Sequence, residues 1–356
     1  MNQPNRVHSN PDALTHRLQL EPIAVGTPRP LWSVMIPTYN CASYLRQTLA
    51  SVLAQAPGPE QMQIEVVDDC STQDDPEAVV REVGRGRVGF YRQPKNVGHT
   101  RNFETCLQRG CGSLIHQLHG DDYVRDGFYA KMEAAFKVNP DIGAAFCRTI
   151  VANPAGHWHG FSELERGESG VLENFAEALA VRQHIQTPSM VVKRAVYERL
   201  GGFDRRLSWT EDWEMWVRIA ANYPIWFEIE PLAVYREHGN SSTQRKILTG
   251  ENVRDIGRCL AITSGYFPSS VGARLRARAA RHYAKWCIVT FARKLLVAGH
   301  PEAAWKQIHE ALKLSHSGPV IGQLISFLMF AARNAGSRGK RRLKNWLKLA
   351  SLFSVC

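Results

Sequence analysis

Adjacent carboxylates recur along this chain, at Asp68-Asp69, Asp121-Asp122 and Glu211-Asp212. Each pair sits among residues that suit a different task. Asp68-Asp69 is followed by Cys70-Ser71-Thr72. Its oxygens can accept hydrogen bonds from a base N–H or a ribose hydroxyl, and a helix N-cap by Asp69 or Ser71 is compatible with that role. His119-Gly120-Asp121-Asp122 puts two carboxylates after a glycine. Paired oxygens of this kind suit a hard divalent cation, Mg2+ or Mn2+, shared with substrate phosphates, although a turn with a helix cap uses the same residues. Glu211-Asp212 stands between Trp209-Thr210 and Trp213 at the start of an apolar helical pattern. A carboxylate at a helix N-terminus is expected to keep a low pKa and stay ionised, as a general base must be. Acidic residues are also simply enriched at helix starts. A fourth segment, Pro37-Thr38-Tyr39-Asn40, offers a Tyr that can stack on a flat base and an Asn that can cap the next helix.

The elements that must carry these segments emerge from hydrophobic periodicity. Short apolar runs at Trp32–Ile36, Gln63–Val67, Val88–Tyr91, Leu114–Leu118 and Ile142–Cys147 read as strands. Helical patterns at Cys41–Gln55, Asp75–Val83, Thr100–Arg109 and Gly127–Val138 alternate with them. Alternation at this spacing indicates βαβ units and a mostly parallel sheet flanked by helices, an α/β fold. Right-handed crossovers would bring the strand C-terminal ends, and with them the acidic segments, to one edge. Residues 1–30 are polar and rich in proline and read as a flexible lead-in. Strand signals stop near residue 245. Val271–Leu296, Pro301–Leu314 and Leu343–Phe353 then read as helices, so residues 31–245 form the catalytic unit and 246–356 a helical C-terminal region. The apolar stretch from Val320 to Ala332 is too short for a confident membrane span and reads as a buried helix.

In this order and on alternating strands, Tyr39-Asn40, Asp68-Asp69-Cys70-Ser71, Asp121-Asp122 and Glu211-Asp212-Trp213 resemble the inverting family 2 glycosyltransferases of the GT-A fold. Ser33–Asn40 is similar to that family's first strand, and Lys95-Asn96-Val97-Gly98 with Arg101-Asn102 to its Asn-x-Gly segment. Arg199–Asp204 and Tyr235-Arg236-Glu237-His238 resemble the stretches flanking its acidic helix. The resemblance covers about residues 32–245. It implies that Pro37, Tyr39 and Asp69 hold the nucleotide base and that Asp121 contacts ribose or metal. It further implies that Asp122 carries the metal, with His238 reaching the diphosphate or the metal, and that Asp212 deprotonates the acceptor hydroxyl. Glu211 and Trp209 fall beside that base, where acceptor or donor sugar would lie. One departure matters: the family often has an acidic residue where His119 stands, so metal dependence is less secure. The Gln-x-x-Arg-Trp element of the family's processive synthases is absent, which points to transfer of one sugar per encounter. The implied donor is a nucleotide sugar, UDP-linked by preference, and the acceptor a glycan or lipid-linked glycan. A catalytically impaired nucleotide-sugar binding protein is the alternative.

Charge separates the two regions. The chain of 356 residues has a formal net charge of +11, yet residues 251–356 hold 18 Lys+Arg against 4 Asp+Glu, and residues 1–250 hold 26 against 29. A uniformly basic nucleic-acid coat is excluded, and no helix-turn-helix, zinc-finger or RNA-recognition signature is present. The basic tail interleaves Lys and Arg with Leu343, Trp346, Leu347, Leu349, Leu352 and Phe353, a composition suited to an anionic membrane surface or to a solvated helix. No Cys-x-x-Cys pair occurs among the eight cysteines, and the N-terminus lacks an apolar signal segment. The expected location is the cytoplasm, peripheral to the inner membrane face.

Overall fold

The computed structural model describes residues 15–239 and 242–334. Ten strands form one sheet: β1 (Trp32–Thr38), β2 (Met62–Asp68), β3 (Gly89–Arg92), β4 (Leu114–Gln117), β5 (Tyr123–Val124), β6 (Ala144–Ala152), β7 (Trp158–Phe161), β8 (Gly170–Val171), β9 (Met190–Lys193) and β10 (Ile225–Arg236). The main path runs β3-β2-β1-β4-β9-β6-β10-β5. The pairs β3/β2, β2/β1, β1/β4 and β6/β10 are parallel, whereas β9 lies antiparallel between β4 and β6. Every residue of β1 is buried, which is why that strand is largely apolar on both faces, with Ser33 and Thr38 as its polar members. The five expected strands and the four helices between them are all present: α1 (Ala42–Leu53), α2 (Pro76–Gly84), α3 (His99–Arg109) and α4 (Phe128–Val138). The α/β assignment therefore holds.

Five strands lie outside the sequence reading: β7 and β8 off the main path, and β5, β9 and β10 in it. The last is broken by register shifts on either side of Pro231, which cannot donate to the ladder. Beyond that irregularity β10 pairs with β6 on one side and with Tyr123-Val124 on the other. Because β5 directly follows Asp122, this pairing delivers Arg236 to that carboxylate.

The remaining helices are α5 (Phe175–Val181), α6 (Arg194–Leu200), α7 (Glu211–Ala220), α8 (Ser242–Thr249), α9 (Glu251–Thr263), α10 (Ser269–Trp286), α11 (Arg293–Val297), α12 (Pro301–Leu314) and α13 (Gly318–Asn334). A π-helical stretch, Cys287–Ala292, joins α10 to α11. The expected helix Leu343–Phe353 lies outside the described residues. One core, holding Trp32, Val34, Ile36, Leu45 and Leu49, fills the sheet face under α1 and α4. The other starts at Phe103, Phe146, Trp213 and Trp216 and continues without a break to Ile256, Leu275, Ile308 and Phe327. The described helical region thus shares the core of the α/β unit.

Two expectations are corrected. Residues 17–20, read as flexible lead-in, are docked. The Arg17 guanidinium is buried against Asp204 and Glu214, and Leu18 and Leu20 enter the core. The apolar stretch after Val320 is helical but not wholly buried. Val320, Phe327 and Ala331 pack inward, while Ile321, Ile325 and Met329 face out.

Candidate active site

The strand C-terminal ends assemble the site at one edge. The chain leaving β4 runs so close to β1 that a Cβ on Gly120 would meet Thr38 Oγ1 at 2.5 Å and Cys41 Sγ at 3.1 Å. Glycine is what allows this approach, sealed by the Gly120 N–H donating to the Pro37 carbonyl at 3.0 Å. The turn is held from beneath by Thr48, whose hydroxyl donates to the Asp122 carbonyl at 2.6 Å and lies 3.0 Å from the Gly120 carbonyl.

His119, Asp121 and Asp122 bring one ligand atom each within 4.8 Å of the others. The Arg236 backbone N–H donates to Asp122 Oδ1 at 2.9 Å, and His238 Nε2–H donates to Asp121 Oδ2 at 2.8 Å. Asp122 Oδ2 and His119 Nε2 are buried with no hydrogen-bond partner. Burial, with the neighbouring Asp121 charge, pushes the Asp122 carboxyl well above its usual range. At Asp121 burial acts the same way but is outweighed by the His238 hydrogen bond and the nearby histidine charge, so its pKa falls. The Asp122 Oδ2 left open in the interior, with His119 Nδ1 at 3.7 Å from it, fits a divalent cation. His119, read from sequence as a departure from an acidic signature, therefore belongs to the cluster; histidine is itself an established ligand type. The expected metal role of His238 is less direct, because its Nε2 already serves Asp121. Arg236 organises this corner. Its guanidinium reaches the Asp121 carbonyl at 3.0 Å and Gln47 Oε1 at 2.6 Å and lies over the Tyr44 ring.

The second acid pair opens α7. Glu211 Oε1 accepts from His99 Nε2 at 2.9 Å, while its Oε2 is buried and unpartnered. Asp212 Oδ2 accepts from the Thr187 hydroxyl at 3.2 Å, and its Oδ1 from the Trp213 N–H at 2.6 Å. The sequence expectation of a low pKa at this helix start is corrected. Burial, then the Glu211 charge, raises Asp212 to about 7. Only neutral donors touch it, and they do not offset those two effects. At Glu211 burial also acts upward, but the charge and hydrogen bond of His99 outweigh it and the pKa falls.

Aromatic packing ties the two pairs together. The His99 ring packs edge-on to Phe103 at 5.6 Å, and Phe103 stacks on His119 at 5.0 Å. Tyr235 feels the charges of Asp121, Asp122 and Asp212. Beneath, His116 is fully buried. Its Nε2–H donates to the Pro188 carbonyl at 3.0 Å, its Nδ1 lies 3.2 Å from the Tyr129 hydroxyl, and burial lowers its pKa to about 4. This neutral imidazole fixes the Thr187-Pro188 segment that touches Asp212.

The other expected residues take varied places. Pro37 is buried and Tyr39 is 41% exposed, its ring free at the rim. Asp69 spends both oxygens on the Val97 and Gly98 N–H groups, at 2.7 and 3.0 Å, so it holds the Asn96–Gly98 loop. Asn40 does not cap α1. Asp74 accepts from Ala42 N there, and Asn40 Oδ1 accepts from Thr72 and Gln73 instead. Trp209 is half-buried against the second core, with its indole N–H donating to Thr243 at 3.3 Å. Trp213 and Trp216 are core residues, as their spacing indicated. Asp255 of α9 was not anticipated. Its carboxylate accepts from the backbone N–H groups of Ser208, Trp209 and Thr210, the turn that leads into α7.

Residues 33–201 match the model for glycosyl transferase family 2. An uncharacterized protein of Mycobacterium tuberculosis is 30% identical over 263 residues, which span 70% of this chain and 81% of that protein. The chain belongs to glycosyl transferase family 2. An uncharacterized glycosyltransferase of Rickettsia typhi is 23% identical over 219 residues, covering 61% of this chain and 67% of its own length. Among solved structures, S. aureus TarS 1-349 in complex with UDP-GlcNAc superposes with a TM-score of 0.54 at 16% identity, over 80% of this chain and 90% of that one. That likeness shows the GT-A type of fold. Family and fold together make the protein a nucleotide-sugar glycosyltransferase.

Proposed function

We propose that the protein moves one sugar per encounter from a nucleotide-diphosphate donor, a UDP-sugar, to an acceptor hydroxyl, with inversion at the anomeric carbon. The observation that carries this reading is Asp212, a partly buried carboxylate raised to about 7 whose charge reaches Tyr235 together with those of Asp122 and Asp121 from the His119 cluster. A base with that pKa is deprotonated in a substantial fraction near neutral pH yet still takes a proton readily. Thr187 and the Trp213 N–H orient it, so one carboxylate edge is fixed as the acceptor hydroxyl attacks and its proton passes to Asp212. The donor diphosphate departs from the opposite face of the sugar.

Asp122, Asp121 and His119 would hold a divalent cation, Mn2+ or Mg2+; when bound, it would offset the charge gathering on the leaving diphosphate. His238 keeps Asp121 ionised, and Arg236 fixes Asp122. Pro37 and Tyr39 would bound the base, with Asp69 holding the Asn96–Gly98 loop across from them. Glu211, with a buried free oxygen, would accept from a sugar hydroxyl, and Trp209 would flank it with its half-buried ring. A single displacement needs no enzyme nucleophile, and the buried thiols of Cys41, Cys106 and Cys147 have pKa values raised by burial, which keeps them inert. The donor class is supported by the UDP-GlcNAc held by TarS, a protein of the same fold. The acceptor would be a glycan or lipid-linked glycan, met at the cytoplasmic face of a membrane.

Asp212→Asn tests the assignment. Transfer is expected to fall on the order of a hundredfold or more while nucleotide-sugar affinity holds. A variant that keeps more than about a tenth of the wild-type rate would remove Asp212 from the role of base.

A further inference from the structure

Helix α13 is apolar on two sides. Val320, Phe327 and Ala331 pack into the core, with Phe327 against Trp305. The opposite face presents Ile321, Ile325 and Met329, which are 38%, 52% and 54% exposed. Their spacing of four residues puts them in one stripe along the helix. A surface helix normally carries polar residues on that side. Arg333 is the basic residue of its last turn, and no acid stands in its first.

The chain beyond this helix indicates what covers the stripe. Residues 335–356 contain six Lys or Arg (Arg338, Lys340, Arg341, Arg342, Lys344 and Lys348) and no Asp or Glu, interleaved with Leu343, Trp346, Leu347, Leu349, Leu352 and Phe353. A second copy of the chain would bring two such cationic stretches together. Three side chains also fall well short of the roughly 800 Å2 per partner that a stable dimer buries. Among the described residues no helix is long and apolar enough to cross a membrane, and the inner face of α13 is already committed to the core. The helix can therefore lie on a bilayer but not span it.

We propose that the outward stripe of α13 is a membrane-contact surface, which seats the enzyme on a bilayer, and the basic sequence that follows makes an anionic bilayer the occupant it favours. Ile321, Ile325 and Met329 enter the headgroup boundary, and the excess of Lys and Arg in the sequence after Asn334 adds electrostatic attraction to anionic headgroups. This extends the membrane placement proposed above, and it stands or falls apart from the transfer chemistry because binding is read without substrate.

The test is flotation of the full chain with vesicles of phosphatidylcholine alone and of phosphatidylcholine mixed with phosphatidylglycerol. The wild type is expected to float with the anionic vesicles, less so as salt rises. I325E/M329E is expected to bind at least about tenfold more weakly. I325S/M329S, which leaves charge unchanged at exposed positions, should lose affinity by a smaller factor with unchanged thermal unfolding. Equal flotation of wild type and both variants would overturn the proposal and leave any attachment to the tail alone. It would equally be overturned by a wild type that ignores anionic vesicles, or by variants that convert a dimer to a monomer in sedimentation.

Discussion

The two acid pairs of the site are built alike and behave differently. In each, one carboxylate is paired with a histidine, Asp121 with His238 and Glu211 with His99, and its pKa is lowered. In each, the neighbouring carboxylate is raised by burial and by its ionised partner. The difference lies in what the raised member faces. Asp122 has an oxygen left open 3.7 Å from His119 Nδ1, an arrangement that a cation would complete. Asp212 has both oxygens on neutral donors, an arrangement that a proton completes. On the proposed mechanism the same local device, an ionised acid forcing its neighbour upward, would serve metal binding at one pair and proton transfer at the other.

Chelation should separate the pairs most sharply. A divalent cation supplies several kcal/mol at a developing diphosphate, so removing it with EDTA should lower transfer by on the order of a hundredfold or more, with recovery on adding Mn2+. An unchanged rate in EDTA would leave the first pair without its assigned work. Asp255→Ala probes the scaffold of the second pair. Loss of the carboxylate that receives three backbone N–H groups before α7 should cost about 1–3 kcal/mol of stability, read as a lower denaturant midpoint. A smaller effect is expected from Thr187→Ala. One neutral hydrogen bond to Asp212 is worth about 0.5–1.5 kcal/mol, so the transfer rate near neutral pH should drop roughly three- to tenfold with nucleotide affinity unaltered.

Much of this arrangement is legible in the sequence, because it rests on local patterns. The largely apolar β1 run, the glycine before Asp121-Asp122 and the acidic opening of α7 each declare themselves within a few residues. What stays hidden depends on partners far along the chain. Nothing around Thr187 marks it as a neighbour of Asp212, since the contact arises from a 3-10 turn pinned by a buried His116. Asp255 reads as an ordinary helix residue until α9 is packed on α7. The low pKa expected for Asp212 rests on the helix terminus alone; burial, which no local pattern reveals, reverses it together with the charge of the adjacent Glu211. Asn40 and Asp74 exchange the capping role because the loop after β2 folds back over the end of β1. Arg17 sits among polar, proline-bearing residues, yet its acidic partners lie nearly 200 positions away.

The division of labour has a direct signature in pH. The Asp212 carboxyl, at about 7 when folded against a usual 3.8, favours the protonated form in the native state. The stability tied to that proton is full below the usual carboxylate pKa and is lost as pH rises to about 7. Catalysis with Asp212 as the base would run the other way, because only the ionised form accepts the proton. The most direct measurement is therefore the pH dependence of transfer under saturating Mn2+ and donor, taken beside nucleotide-sugar affinity over the same range. With Asp212 as the base, the rate rises through an apparent pKa of about 7 to a plateau while affinity stays nearly flat there. A rate that is flat through neutral pH, or one that falls only in step with donor affinity, would contradict that role.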